Sequence, residues 1–410
     1  MRREECFRIA VRKYTPFEEA IRRQWESFET RATTGLKLDL VAMDLQPLEE
    51  ALFASGGMRS GDWDVAFVAT DWIAVMHELG CAVDLAPLLR DDPPVDYPAG
   101  WSESLLRLQR VGQSVLGVPY HDGPECLVYR RDLFEDPAAR AEYEARFGEE
   151  LTPPKTWEQF HRVARFLNRP EQGRYGTVFA AFADGHNTVY DFLLQLWTRG
   201  GDLFRPDGSI WFSSPEAAAA LAFYRGMVTD RQAAHPDCLK LDSVAAGAAF
   251  AAGQVAMMIN WFGFATMAHT SADSAVRGLV DIADIPHGES GETASLNVYW
   301  LLAIAAGSAH KREAWSFLHH VLTPEMDKLT TQAGAIGCRR STWSDAEVNA
   351  AIPFYWKIGQ LHANAREIPR RADWPRIAGI IDGLITKTVT SPAPVEELLR
   401  VADERMGRAG

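Results

Sequence analysis

SVLGVPYHDGPECLVYRRDLF, residues 114–134, reads as two strand-like segments around a polar turn, and it falls where one alternation of strands and helices ends and another begins. Upstream, CFRIAV (6–11) has the make-up of a short strand, and TPFEEAIRRQWESFETRA (15–32) carries Phe17, Ala20, Ile21, Trp25 and Phe28 at helical spacing. LKLDLVAM (36–43) alternates as a second strand, PLEEALFASGG (47–57) reads as a short helix, and DVAFVAT (64–70) is an apolar third strand before DWIAVMHELG. This βαβαβ order predicts a mostly parallel sheet. In such sheets the ligand crevice lies beyond the carboxyl ends of the strands. That rule selects Arg12, Lys13 and Tyr14 after the first strand, Asp44 after the second, and Asp71 and Trp72 after the third.

Downstream the pattern restarts, as a second domain would. TPPKTWEQFHRVARFLN (152–168) reads as a helix with Thr156 as N-cap and Glu158 and Gln159 in its first turn. GTVFAAF is a strand, NTVYDFLLQLWTRGG a helix ended by glycines, and SPEAAAALAFYRGMV another helix. DIADIPHG and VYWLLAIAAG are strands, HKREAWSFLHHVLTPE (310–325) is a helix, and the last hundred residues are mainly helical. GQVAMMINWFGFA (253–265) is an apolar strand that ends in Asn260, Trp261 and Phe262 before Gly263, taken here as a turn. An indole at the end of a strand can face a ligand, or Trp261 and Phe262 can cap the core beneath Gly263.

Composition narrows the classes. A chain of 410 residues exceeds what one hydrophobic core usually serves, so two domains are the default. A net charge of -13 excludes the concentrated basic field that a nucleic-acid surface needs. Thirteen Trp is high, and Trp presents flat amphipathic faces to ligands as well as filling cores. No run of about 18 apolar residues spans a membrane. The opening MRREECFRIAV has too short an apolar stretch for a signal peptide, so the expectation is either a cytosolic protein or one whose leader has been removed. Cys6, Cys81, Cys126, Cys238 and Cys338 are scattered, without a CxxC pair, and are expected as unpaired packing residues.

The catalytic inventory is thin. GxSxG, HExxH, a P-loop and a strand-to-helix GxGxxG are all missing. His319 and His320 are adjacent on a helix and point about 100° apart, so they cannot share one metal from one face. No metal and no cofactor are expected. Glycoside hydrolysis needs only two carboxyls flanking a sugar, and Asp71, Asp122 and Glu125 lie in candidate loops. With 55 acidic residues such pairs arise freely by chance.

Four phrases in order resemble those of the extracytoplasmic sugar-binding proteins of ATP-driven importers, the family that includes maltose-binding protein. GVPYHDGPECLVYRRDLF is similar to that family's crossover segment from first to second lobe, and PPKTWEQF (153–160) to its P-x-T-W-(D/E)-E-F helix start. GQVAMMINWFGFA is similar to its G-(K/E)-(V/A)-A-M strand, and LNVYWLLAIAAGSAHKREAWSFLHHVLTPE (296–325) to its return strand and helix. The series covers roughly residues 5–405.

The resemblance implies an α/β chain with the two-lobed periplasmic-binding-protein fold (type II) and a hinge of two to three crossing segments. It implies an N-terminal lobe from 1–118 and 298–342 and a C-terminal lobe from 119–297 and 343–410. The implied function is non-enzymatic binding of a sugar, oligosaccharide or polyol between closing lobes, and delivery to the membrane permease of an ABC importer. A monomer in the periplasm, without nucleic acid as partner, is the corresponding expectation; a carbohydrate-acting hydrolase is the alternative. Asn260 and Trp261 match the position where the family sends polar and aromatic side chains to its ligand. Tyr120, His121 and Asp122 fall in the variable crossover loop, and Arg339 in GAIGCRRS matches a basic residue often found at the cleft. Asn297, Tyr299 and Trp300 fall where the family often has G-G-W, so bulky residues stand here in place of glycines.

Overall fold

The computed structural model describes residues 5–289 and 291–407; the charged opening at 1–4 lies outside them. The chain forms two compact units. The first runs up to Gly123 and includes Val298–Gly359 and Glu367–Ala372; the second holds Pro124–Asn297, Gln360–Arg366 and the chain from Asp373 onward. Both outer boundaries differ from those expected at 118/119 and 342/343. The strand Val118–His121 stays in the first unit because it pairs with the returning strand there. Residues 343–359 stay because their helices pack on Pro324–Gln332, where Lys328 Nζ donates to Asp345 at 2.9 Å and to Glu347 at 2.6 Å.

The first unit contains β1 (Cys6–Arg12), β2 (Lys37–Met43), β3 (Val65–Ala69), a small hairpin β4 (Arg110–Val111) and β5 (Ser114–Val115), and β6 (Val118–His121). The second contributes β7 (Glu125–Arg130), β8 (Tyr175–Val178), β9 (Val255–Trp261), β10 (Val280–Ala283) and β11 (Ser295–Asn297), after which β12 (Trp300–Ile304) belongs to the first. The first sheet has the order β2-β1-β3-β12-β6. Its βαβαβ portion is parallel as expected, with Cys6 opposite Lys37 and Arg12 opposite Met43. β12 runs antiparallel to both β3 and β6.

The helix Thr15–Ala32 covers this sheet with the residues its spacing predicts: Phe17, Ala20, Ile21, Trp25 and Phe28 are buried. Trp25 stacks on Phe7 of β1 at 4.7 Å between ring centroids, and Phe317 meets both rings from the later helix Lys311–Val321. Each such ring withdrawn from water contributes on the order of 1.5–3 kcal/mol. The single helix expected over 310–325 is two. Thr323 restarts the helix Pro324–Gln332 by accepting the Met326 N–H, with Pro324 in its first turn.

The second sheet, β10-β7-β9-β8, is mixed, with only β8 and β9 parallel. The mostly parallel sheet expected from the βαβαβ order is realised in β1, β2 and β3, while the rest of that sheet is antiparallel. A parallel pair needs a crossover between its strands. β7 and β12 instead enter their sheets directly after the chain changes units, and both run antiparallel to their partners. The helix Trp157–Leu167 begins with a full capping box, Thr156 and Gln159 satisfying each other's backbone N–H groups. It lies so close to β8 that a Cβ on Gly176 would stand 1.9 Å from the Ala164 carbonyl oxygen. The glycine turn expected after Trp261 does not occur: the helix Phe262–Thr270 starts at once, with Gly263 buried in its first turn. All five cysteines are free and buried. No helix among the described residues is long and apolar enough to cross a membrane.

Candidate ligand-binding faces

In the first unit, β3 and β6 end where β12 begins, with Trp300 opposite both Ala69 and His121. The segments that follow β1, β2, β3 and β6 thus bring Tyr14, Asp44, Asp71, Trp72, His121 and Asp122 to the end of the sheet that Trp300 occupies. Phe17 is the hub of their packing, 5.0 Å from the Tyr14 ring, 4.6 Å from His121 and 6.2 Å from Trp300. Trp72 is buried and meets the half-buried Trp300 edge-on at 5.8 Å. Burial raises the Tyr14 hydroxyl, which keeps its proton. His121 Nδ1 accepts the Ile336 N–H at 2.9 Å. Loss of hydration drives its pKa down to about 3 against the opposing pull of Asp122, so the ring is neutral with its proton on Nε2. Asp71 and Asp122 are buried, whereas Asp44 is exposed and pairs with Arg12 at 3.2 Å and Lys13 at 3.8 Å.

Several expected contacts have inward partners instead. Tyr120 donates its hydroxyl to Gln24 Oε1 at 3.0 Å, and Tyr299 donates to the Leu105 carbonyl. Asn260 in the second unit donates Nδ2 to the Ser243 carbonyl at 3.0 Å and accepts the Trp261 N–H on Oδ1 at 2.8 Å. Strand geometry explains Tyr120 and Asn260, which lie within β6 and β9, and Tyr299 precedes β12 in the same alternation. Successive side chains point to opposite faces, so each adjacent pair, Tyr120 with His121, Tyr299 with Trp300 and Asn260 with Trp261, sends one member inward. Arg339 lies 1% exposed in the first unit. It donates to the Val95 and Leu322 carbonyls at 3.1 and 2.8 Å, pairs with Asp96 at 3.0 Å, and stacks 4.3 Å over Trp101. These contacts make it a strut between segments of its own unit.

In the second unit, Trp261 closes β9 directly opposite Glu125, the first residue of β7. Its indole is half-buried and meets the Tyr190 ring edge-on at 5.6 Å. β11 lies against the same end, with the Ser295 hydroxyl donating to the Glu125 carbonyl at 2.5 Å. Glu125 is 4% exposed with no hydrogen-bond partner for Oε2, and Asn297 is 1% exposed with none for either side-chain polar atom. Burial raises the Glu125 carboxyl well above the usual range, and the negative charge of Asp191 raises it further. Asp191, beside Tyr190 on the helix Asn187–Trp197, accepts the Tyr224 hydroxyl at 2.9 Å. Desolvation still lifts its carboxyl to about 7, with Asp184 adding to the rise.

The sequence motifs offer Glu125 only as one of three carboxylates for a hydrolase and give no place to Tyr190 or Asp191. The signal for Asp191 is present, since it is the one charged residue in NTVYDFLLQLW. A cavity of about 570 Å³ in the same unit, lined in part by Pro153, Lys155, Asp284, His287 and Glu292, includes none of these residues. No group of three or more His, Cys, Asp and Glu placed to hold a metal ion occurs among the described residues.

The two α/β units, each with a half-buried tryptophan at one end of its sheet beside buried polar groups, have the periplasmic-binding-protein fold. A solute-binding protein of an ABC transporter from Agrobacterium radiobacter, solved in complex with ribitol, aligns with a TM-score of 0.87 at 23% identity, over 99% of this chain and 98% of that one. The family model for bacterial extracellular solute-binding proteins matches residues 14–328, and the chain belongs to that family. Similar relatives include a probable ABC transporter-binding protein of Deinococcus radiodurans, 24% identical over 75% of this chain and 70% of that protein. A mannitol-binding protein of Pseudomonas aeruginosa is 25% identical over 78% of this chain and 70% of its own length.

Proposed function

We propose that this protein binds a sugar or polyol outside the cytoplasmic membrane, leaves it covalently unchanged, and delivers it as a monomer to the permease of an ATP-driven importer. The end of β9 carries the reading: a half-buried indole stands directly opposite a buried carboxyl, with the unpartnered amide of Asn297 on the neighbouring β11. Polyhydroxy compounds have apolar C–H faces that an aromatic plane covers, and hydroxyls that satisfy buried amides and carboxyls. A buried polar atom without a partner costs about 1–3 kcal/mol, which a ligand hydroxyl recovers. The relative named as a mannitol-binding protein, 25% identical, supports a polyol among the candidate ligands. In the first unit, Tyr14, Asp44, Asp71, Trp72, His121, Asp122 and Trp300 are the proposed contacts; Trp261 and Asn297 are those of the second.

Calorimetric titration with D-mannitol, ribitol, D-glucose and maltose tests this reading. Saturable one-to-one binding of at least one of them is expected, and a micromolar Kd corresponds to about -8 kcal/mol. No glycoside in the panel should be turned over. Steady release of reducing sugar abolished by Asp122→Ala would replace the binding reading by hydrolysis, and a panel without any binder would remove it.

A further inference from the structure

We infer that Glu125 and Asp191 set the charge selectivity of the second unit's ligand face, so that it admits uncharged polyhydroxy ligands and rejects the carboxylate analogues of the same skeletons. The inference rests on the proposed function and narrows it to one chemical class. Sequence alone leaves an acidic sugar open, because Arg12 and Lys13 follow the first strand. In the structure both cations are engaged by Asp44, at 3.2 and 3.8 Å. On the second unit's face the residue directly opposite Trp261 is a carboxyl, Glu125.

Glu125 stands directly across the β7–β9 pair from Trp261, so the two side chains share one side of the sheet. Tyr190 packs on the Trp261 ring, and Asp191 follows it in the chain. Charges beyond this pair deepen the negative field: Asp184 acts on Asp191, and Asp382, which accepts the Thr188 hydroxyl from the same helix, also feels Asp184. Tyr224 gives Asp191 a hydroxyl donor without adding positive charge. Asn297 and Glu125 Oε2 have no protein partner, so this is a built site with hydrogen-bonding capacity to spare.

The chemistry of the pair follows from its surroundings. Both carboxyls are raised by desolvation, and the charge of Asp191 raises Glu125 further, so the two resist being ionised together. A carboxyl that holds its proton donates to a ligand hydroxyl oxygen, an ionised one accepts from a ligand hydroxyl, and the Asn297 amide does both. Among the described residues, the charges that act on this pair are those of carboxyls, Asp191 on Glu125 and Asp184 on Asp191. A ligand carboxylate must sit against that negative charge in a poorly hydrated place, which weakens its binding.

The test compares skeletons that differ by one carboxylate, D-mannitol with D-mannonate and D-glucose with D-glucuronate, by calorimetry on the wild-type protein, Glu125→Gln and Asp191→Asn. The neutral member of a pair should bind at least about tenfold more tightly to wild type, and each substitution should shrink that ratio. Melting temperatures of the variants separate a change in selectivity from a loss of fold. Equal or tighter binding of the acids by wild type overturns the inference while the proposed function stands. So does a ratio that both folded variants leave unchanged. If no compound of either kind binds, the proposed function fails and this inference falls with it.

Discussion

The ligand face of the first unit is an interlocked ring cluster, with Phe17 holding Tyr14, His121 and Trp300 and with Trp72 wedged against Trp300. That of the second is sparer: one half-buried indole, one supporting tyrosine, and buried polar groups that the protein leaves unsatisfied. The contrast teaches where shape and where chemistry are set. Rings that pack on one another have little freedom left, so the first face is fixed by the same packing that builds its core. Unsatisfied groups are tolerated in a native fold chiefly where something else completes them, so the second face is the one we propose to read ligand chemistry.

The largest expected effect lies in the first unit, and it is on stability. Arg339→Ala removes the hydrogen bonds to the Leu322 and Val95 carbonyls, the Asp96 pair and the stacking on Trp101, and should cost about 3 kcal/mol. Equilibrium unfolding in urea measures it. A ligand-contact role for Arg339 predicts the opposite pattern, a small stability change with a large loss of affinity.

Next come opposite pH responses of the two units. His121 is depressed to about 3 from 6.5, so its contribution is present above about pH 6.5 and lost as pH falls toward about 3. Asp191 is raised to about 7 from 3.8, so its contribution is full below about pH 3.8 and lost as pH rises toward about 7. Unfolding midpoints of wild type, His121→Gln and Asp191→Asn across pH 4–8 resolve the two. Asp191→Asn should gain on wild type at the alkaline end only, and His121→Gln at the acidic end only. Curves that stay parallel throughout would break the comparison. The smallest effect is expected for Asp44→Ala, whose ion pairs are exposed and worth at most about 1 kcal/mol.

Sequence periodicity made much of the fold legible. The helix Thr15–Ala32 buries the residues its spacing selected, and β1, β2 and β3 form the parallel βαβαβ core. Strand direction after each change of unit was not legible, because nothing local in ECLVYR or WLLAI says which neighbour it will pair with. At the site, loops chosen by the strand-end rule did gather in the first unit, but consecutive residues were taken together where the pleat separates them. Tyr120, Asn260 and Tyr299 found partners in the interior for that reason. Glu125 and Asp191 show a different limit. A carboxyl gains functional meaning from lost hydration and from a second carboxyl 66 residues away in sequence, and neither is written in the local stretch.

We propose the indole ending β9 as a ligand surface and not part of the core. Calorimetry with D-mannitol, or with whichever compound of the panel binds wild type best, together with a melting curve on Trp261→Ala, tests it most directly. Lost stacking of about 0.5–1.5 kcal/mol, plus lost apolar burial at about 25 cal/mol per Å², predicts binding weakened at least about tenfold. Because Trp261 is only half-buried, the melting temperature should change little. A core tryptophan cut to alanine costs about 3–5 kcal/mol of stability, so a large drop in melting temperature with unchanged affinity would contradict the account.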